Sequence, residues 1–237
     1  VKKDRKQFPQ LADRLFLTVG GVQTALIFLA RVELPYFAAF HLLREPAGRA
    51  ALIRYYERFI AIARRDRLGF ILESPTWRAS SDWGEKLGYT KAAMADINRD
   101  AIAIMLHIRT EHETANGPIV ISGCVGPRGD GYDPGQIMSI AEAEAYHTLQ
   151  IRVFADAGAD MTTAITMTNT PEAIGITQAA AKAQLPVAIS FTVETMGQLP
   201  TGQSLGDAIL EVDRVTGSAP SYYMINCAHP EHFADIL

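Results

Sequence analysis

Short runs that are apolar at every position, each followed by a stretch with helical periodicity, restrict this chain more than any other feature. A strand with one wet face alternates apolar and polar residues; a strand covered on both faces does not, and that is how parallel sheets sheathed in helices read. Leu15-Phe16-Leu17-Thr18-Val19 is the first such run and stops at Gly20-Gly21. Gly69-Phe70-Ile71-Leu72 is the second, leading into Glu73-Ser74-Pro75, where proline ends regular pairing. Pro118 to Cys124 gives a third, Ala159-Asp160-Met161 opens a fourth that runs to Met167, Pro186 to Phe191 is the fifth and Tyr222 to Cys227 the sixth.

The intervening segments carry helix signals. Leu52, Tyr55, Tyr56, Phe59, Ile60 and Ala63 recur at helical spacing after Glu45-Pro46. Thr90 caps a helix predicted through Glu113, with Met94, Ile97, Ala101, Ile104 and Ile108 as its core stripe. Ser139 and Glu142 make a capping box for a helix to Ala157. Further helices are expected from Thr170-Pro171-Glu172, from Ser204 and from His229-Pro230. Six β-then-α units leave two architectures, an open doubly wound sheet and a (β/α)8 barrel. The first strand is not followed by a glycine-rich dinucleotide fingerprint or a P-loop, which weakens the open-sheet reading. A closed barrel would need two more units, roughly 70 residues beyond the 237 of this chain.

The 22 basic and 26 acidic residues leave a net charge of −4, and 48% of the residues are hydrophobic. Disorder is excluded, and there is no basic surface for nucleic acid or an anionic membrane. Apolar runs such as Ala25 to Ala30 fall far short of the roughly 20 residues of a membrane span. The basic segment Val1 to Gln7 lacks the apolar stretch of a signal peptide. Cys124 and Cys227 form neither a CxxC pair nor a disulfide framework, so both read as free thiols, and a cytoplasmic location is expected.

Parallel α/β folds bind ligands at the carboxyl ends of their strands. Those ends deliver Gly20, Gly21 and Gln23; Glu73, Thr76 and Trp77; Cys124, Gly126 and Arg128; Thr166 and Thr168; Thr192 and Glu194; and Asn226, Cys227 and His229. Each has a plainer role. Either cysteine could be a small core residue, Glu73 a cap or a partner of Arg78, and Arg128 a solvated charge. His229 and His232 read as helix-end polar residues before metal ligands, and His41, His107, His112 and His147 as surface positions.

Gly20-Gly21, Ser122-Gly123-Cys124-Val125-Gly126-Pro127, Phe191-Thr192 with Gly202-Gln203-Ser204-Leu205, and Ile225-Asn226-Cys227 together resemble the homocysteine S-methyltransferase family. That family includes betaine-dependent and S-methylmethionine-dependent enzymes. The resemblance runs in order over essentially the whole chain, and Asn226-Cys227 is its most specific part. It implies a single (β/α)8 TIM barrel domain over residues 1–237, present as six βα units. It further implies a zinc ion held by three thiolates, which activates the thiol of homocysteine to take a methyl group from an onium donor. On this resemblance Cys227 is a metal ligand, and Gly20, Gly21, Glu73, Thr166, Glu194 and Asn226 bind substrate; no catalytic acid or base is assigned. The expected partners are thus a small-molecule thiol and a methyl donor, with neither nucleic acid nor membrane. A homo-oligomer is compatible with the apolar loop Leu34 to Phe40.

Three departures accompany the resemblance. The family's other two zinc cysteines lie in a Gly-Gly-Cys-Cys motif after the last strand, which this sequence does not reach by Leu237, so a longer natural protein and little zinc on this chain are expected. Val19 stands where the family usually has aspartate, and Ile165 where it often has glutamate. Two other readings follow from the residues: a barrel lyase or hydrolase acting on a carboxylate through Glu73 and Arg128, and a non-catalytic binding protein.

Overall fold

Every expected strand forms, in a computed structural model that describes residues 8–234; the basic segment 1–7 and the end of the chain lie outside the described residues. The strands are β1 (Phe16–Thr18), β2 (Gly69–Glu73), β3 (Ile119–Val125), β4 (Met161–Met167), β5 (Val187–Phe191) and β6 (Tyr222–Ile225), in the order of the sequence. The helices are α1 (Val22–Thr24), α2 (Pro46–Arg65), α3 (Ser81–Lys86), α4 (Lys91–His112), α5 (Ile140–Ala157), α6 (Thr170–Lys182) and α7 (Leu205–Thr216). The chain divides into two compact units, Val1–Cys124 with Val153–Met161, and Val125–Arg152 with Thr162–Leu237.

In the first unit β1, β2 and β3 pair in parallel, with Phe16 beside Gly69 and Leu72 beside Ile121. All seven residues of β3 are buried, which is why its sequence lacks alternation. The α2 stripe buries Leu52, Tyr55, Tyr56, Ile60 and Ala63, and α4 buries Met94, Ile97, Ala101 and Ile108, with the Thr90 hydroxyl accepting from the Ala93 amide as its cap. Gly123 has a packing reason: a Cβ there would stand 2.2 Å from the Phe154 ring. At the other end of β3, the Arg109 guanidinium donates to Asp160 at 2.6 Å, and the same carboxylate oxygen accepts the Ile121 amide at 2.8 Å. Between β1 and α2 the chain is irregular. A π-helical turn (Ala25–Leu29) and 3-10 turns (Pro35–Phe37 and Ala39–Arg44) fill this stretch, with Arg31, Tyr36 and Phe37 in the left-handed region.

In the second unit β4, β5 and β6 are parallel, with Thr162 beside Val187 and Phe191 beside Ile225. The Ser139–Glu142 capping box forms as expected, the serine hydroxyl accepting from the Glu142 amide and the glutamate accepting from the Ser139 amide. Ser204 caps α7, which ends at Gly217 in the left-handed conformation. Three expectations need correction. The sixth strand stops at Ile225, because Cys227 adopts φ 52° and leaves the extended conformation. His229-Pro230 opens only a 3-10 turn, Pro230–His232, within the described residues. His147 is a core residue: it is buried and its ring meets Glu172. Among the described residues no helix is long and apolar enough to cross a membrane.

Candidate active site

In the first unit two neighbouring tyrosines of α2 hold two strand ends. Tyr55 donates its hydroxyl to the Gly20 carbonyl at 2.6 Å, and Tyr56 donates to the Glu73 carbonyl at 2.9 Å. Burial raises the pKa of both phenols, and the charge of Glu73 raises them further, so both remain donors. The Gly20 and Glu73 ends are therefore set by one helix. Gly21 caps α1 through its carbonyl, which accepts the Ala25 amide. Beyond Glu73, the Ser74 hydroxyl accepts the Cys124 amide at 3.0 Å and contacts the Thr76 hydroxyl, which donates to the Cys124 carbonyl at 2.7 Å. Cys124 is thus a buried residue pinned through its backbone, in keeping with the plainer packing role. Arg78 stacks on Trp77 and Trp83, with its guanidinium 4.2 and 3.9 Å from the two ring centroids.

In the second unit the structure joins Thr166 to Asn226. The β4–β5 register shifts between Ala164 and Met167, so one extra residue sits on β4, and Thr166 takes φ 67°. A β-branched residue is strained there, and such a bulge leaves a backbone N–H without its ladder partner. Asn226 compensates. Its Oδ1 accepts the Thr166 amide at 2.9 Å and the Ser190 hydroxyl at 2.7 Å, while its Nδ2 donates to Thr166 Oγ1 at 2.9 Å. Its own amide continues the ladder, donating to the Phe191 carbonyl at 3.1 Å. One side chain therefore spans the carboxyl ends of three strands.

Cys227 follows directly and is exposed, which corrects the reading of it as a small buried core residue. The left-handed backbone turns it off the strand. The Tyr132 phenol is raised in pKa by partial burial, then by the charge of Cys227 and a side-chain hydrogen bond with it, and by Asp130. Glu194 is an exposed residue at the turn after β5; its amide donates to the Gln198 carbonyl and its carbonyl accepts the Gly197 amide, and neither bond reaches Asn226. Ile165 is the one residue of β4 that is not fully buried.

Cys227 offers one thiol, and His229 and His232 lie beyond it with ring centroids 6.0 Å apart. Among the described residues, no group of three or more His, Cys, Asp or Glu side chains could hold a metal ion. The described residues do not by themselves make a zinc site.

Sequence reasoning missed several of the residues that shape these ends. The hydroxyls of Tyr55 and Tyr56 were hidden in an apolar stripe, Tyr132 lay in a glycine-rich turn, and Glu172 with His147 gave only the Asn169-Thr170-Pro171-Glu172 cap pattern as a signal.

No curated protein sequence matches the chain. Among solved structures, the metallated form of the homocysteine methyltransferase MmuM from Escherichia coli superposes with a TM-score of 0.75 at 20% identity, covering 93% of this chain and 77% of that one. The oxidized form of the same protein gives 0.75 at 20% identity, covering 97% and 79%. The fold is therefore that of a (β/α)8 barrel protein, represented here by six of its units. The family model described as homocysteine S-methyltransferase matches residues 17–237, and the chain belongs to that family of methyltransferases.

Proposed function

We propose that the protein transfers a methyl group from an onium donor, such as S-methylmethionine or betaine, to the thiol of homocysteine. The acceptor sulfur attacks the donor methyl carbon; the new S–C bond forms as the donor's bond to that methyl breaks, the donor leaves without its positive charge, and the thiol proton passes to solvent. Such a transfer depends on holding nucleophile and methyl in register.

The observation that carries this reading is the Asn226 clamp on the strained Thr166, immediately before an exposed Cys227, in a chain of this family. In this proposal Thr166, Glu194 and Asn226 contact substrate in the second unit, and Gly20, Gly21 and Glu73 do so in the first. Residues 1–237 then act as one barrel domain, in the cytoplasm. Cys227 supplies one thiolate to a zinc ion whose remaining ligands are not among the described residues. Val19 and Ile165 remove two carboxylates that would face the ammonium of homocysteine, and Glu73 and Glu194 are the carboxylates nearest in sequence role to replace them. The exposure of Cys227 favours this reading over a lyase or hydrolase, which would leave that side chain in the packing.

The test is methionine formation from homocysteine with each onium donor and zinc supplied, for the wild type and for Cys227→Ser. The expected result is product with at least one donor and its loss in the variant. No product with any donor, or turnover indifferent to Cys227→Ser, overturns the proposal.

A further inference from the structure

The segment between β5 and α7 folds on itself as a small hairpin. Gln198 and Ser204 face each other across an antiparallel bridge, and the Leu199 amide donates to the Gln203 carbonyl at 2.8 Å. Gly202, at φ 84°, closes the turn by donating its amide to the Leu199 carbonyl at 2.7 Å. Nearer β5, the Glu194 amide donates to the Gln198 carbonyl at 2.8 Å, and the Gly197 amide to the Glu194 carbonyl at 3.2 Å. Met196 is 82% exposed and takes φ 69°, a conformation strained for a residue with a side chain, which these backbone bonds enforce. The 3-10 turn Thr195–Gly197 lies beside the Pro230–His232 turn that follows Cys227.

The hairpin has an apolar anchor in Leu199, whose side chain is buried. Its polar anchor is Glu211 of α7. Gln203 Nε2 donates to Glu211 Oε2 at 2.7 Å, and the Thr170 hydroxyl, at the start of α6, donates to the same oxygen at 3.0 Å. Capping of α7 does not need this carboxylate, because the Ser204 hydroxyl accepts the Asp207 amide. One oxygen therefore joins the first residue of α6 to the hairpin. From it, hydrogen bonds and adjacent residues lead through Gln203, Leu199 and Gln198 to Glu194.

We propose that Glu211 is a positioning residue that fastens the β5–α7 hairpin and thereby sets the place of Glu194 for the ammonium group of the acceptor. The inference rests on the methyl-transfer reading for what Glu194 meets, so its test reads the hairpin directly as well as turnover.

Amide hydrogen exchange on the intact chain is the first readout. In Glu211→Ala the amides of Glu194, Leu199 and Gly202 should exchange about tenfold faster, the factor carried by one hydrogen bond to a charged group, while the core of β5 keeps its wild-type protection. Glu211→Gln should restore most of the protection, since both bonds end on a single oxygen. Gln203→Ala should reproduce the effect of Glu211→Ala, and the double variant should add little. In turnover, Glu211→Ala should raise KM for homocysteine about tenfold with kcat nearly unchanged, as expected when a contact made equally in the ground and transition states is lost. Unchanged exchange in the hairpin, equal acceleration in the β5 core, additive effects of the two substitutions, or a lowered kcat at unchanged KM would each overturn the proposal. Absence of turnover in the wild type refutes the methyl-transfer reading alone, and the exchange cycle then decides this one.

Discussion

Asn226 combines a donor and an acceptor on one planar amide, and the Thr166 bulge needs both. Remove the amide and the Thr166 N–H, its hydroxyl and the Ser190 hydroxyl lose their partners together, in a part-buried setting where water replaces them poorly. Asn226→Ala is expected to lower unfolding free energy by about 2–4 kcal/mol, read as a shifted urea midpoint with an unchanged slope. Asn226→Asp keeps the acceptor and should lose less. The two cysteines divide by the same kind of detail. Cys124 is held by Ser74 and Thr76 through its backbone and is inert in the core, whereas Cys227 leaves its strand at a positive φ and faces outward.

At the scale of elements, the buried Arg109–Asp160 pair joins α4 to the segment entering β4, and Asp160 also takes the first paired amide region of β3 at Ile121. Asp160 is fully buried and Arg109 nearly so. Asp160→Ala removes the carboxylate that this buried guanidinium faces, and the expected loss is about 3–5 kcal/mol, measured by chemical denaturation. This pair lies at the amino-terminal entry to β4. The sequence carried the strands well because burial on both faces writes itself into uninterrupted apolar runs: β3 reads Ile-Val-Ile-Ser-Gly-Cys-Val and is buried throughout. It carried the caps equally well, since Ser139, Thr90 and Ser204 act on amides only three residues away. The bulge at Thr166 was not legible, because Ala-Ile-Thr-Met has the composition of a continuous strand and the irregularity depends on Asn226, sixty residues later. His147 was misplaced for the same reason: its partner is on another helix.

For the whole molecule, acid is the condition most directly tied to the structure. Burial alone would raise the Glu172 carboxyl, but the hydrogen bond and charge of His147, the Arg128 amide and Asn169 outweigh it and hold the group below the ordinary glutamate range. A carboxyl depressed in the folded state stabilises the protein above the unfolded value and loses that contribution as the pH falls through the folded one. Thermal stability should therefore decline below about pH 4.5, and Glu172→Gln should flatten part of that decline while lowering stability near neutrality. A scan of melting temperature from pH 3 to 7 on both proteins checks this, and parallel profiles would refute it.

The bulge on β4 also sets a rule for anyone who would re-engineer the acceptor. Because the amide of Asn226 replaces a missing rung of the ladder, position 226, proposed above to contact substrate, is also a member of the sheet. A library that randomises it mixes altered selectivity with misfolding and yields few readable clones. Diversity is better spent at Glu194, whose exposed side chain lies outside the Asn226 clamp, with 166 and 226 varied only as a pair.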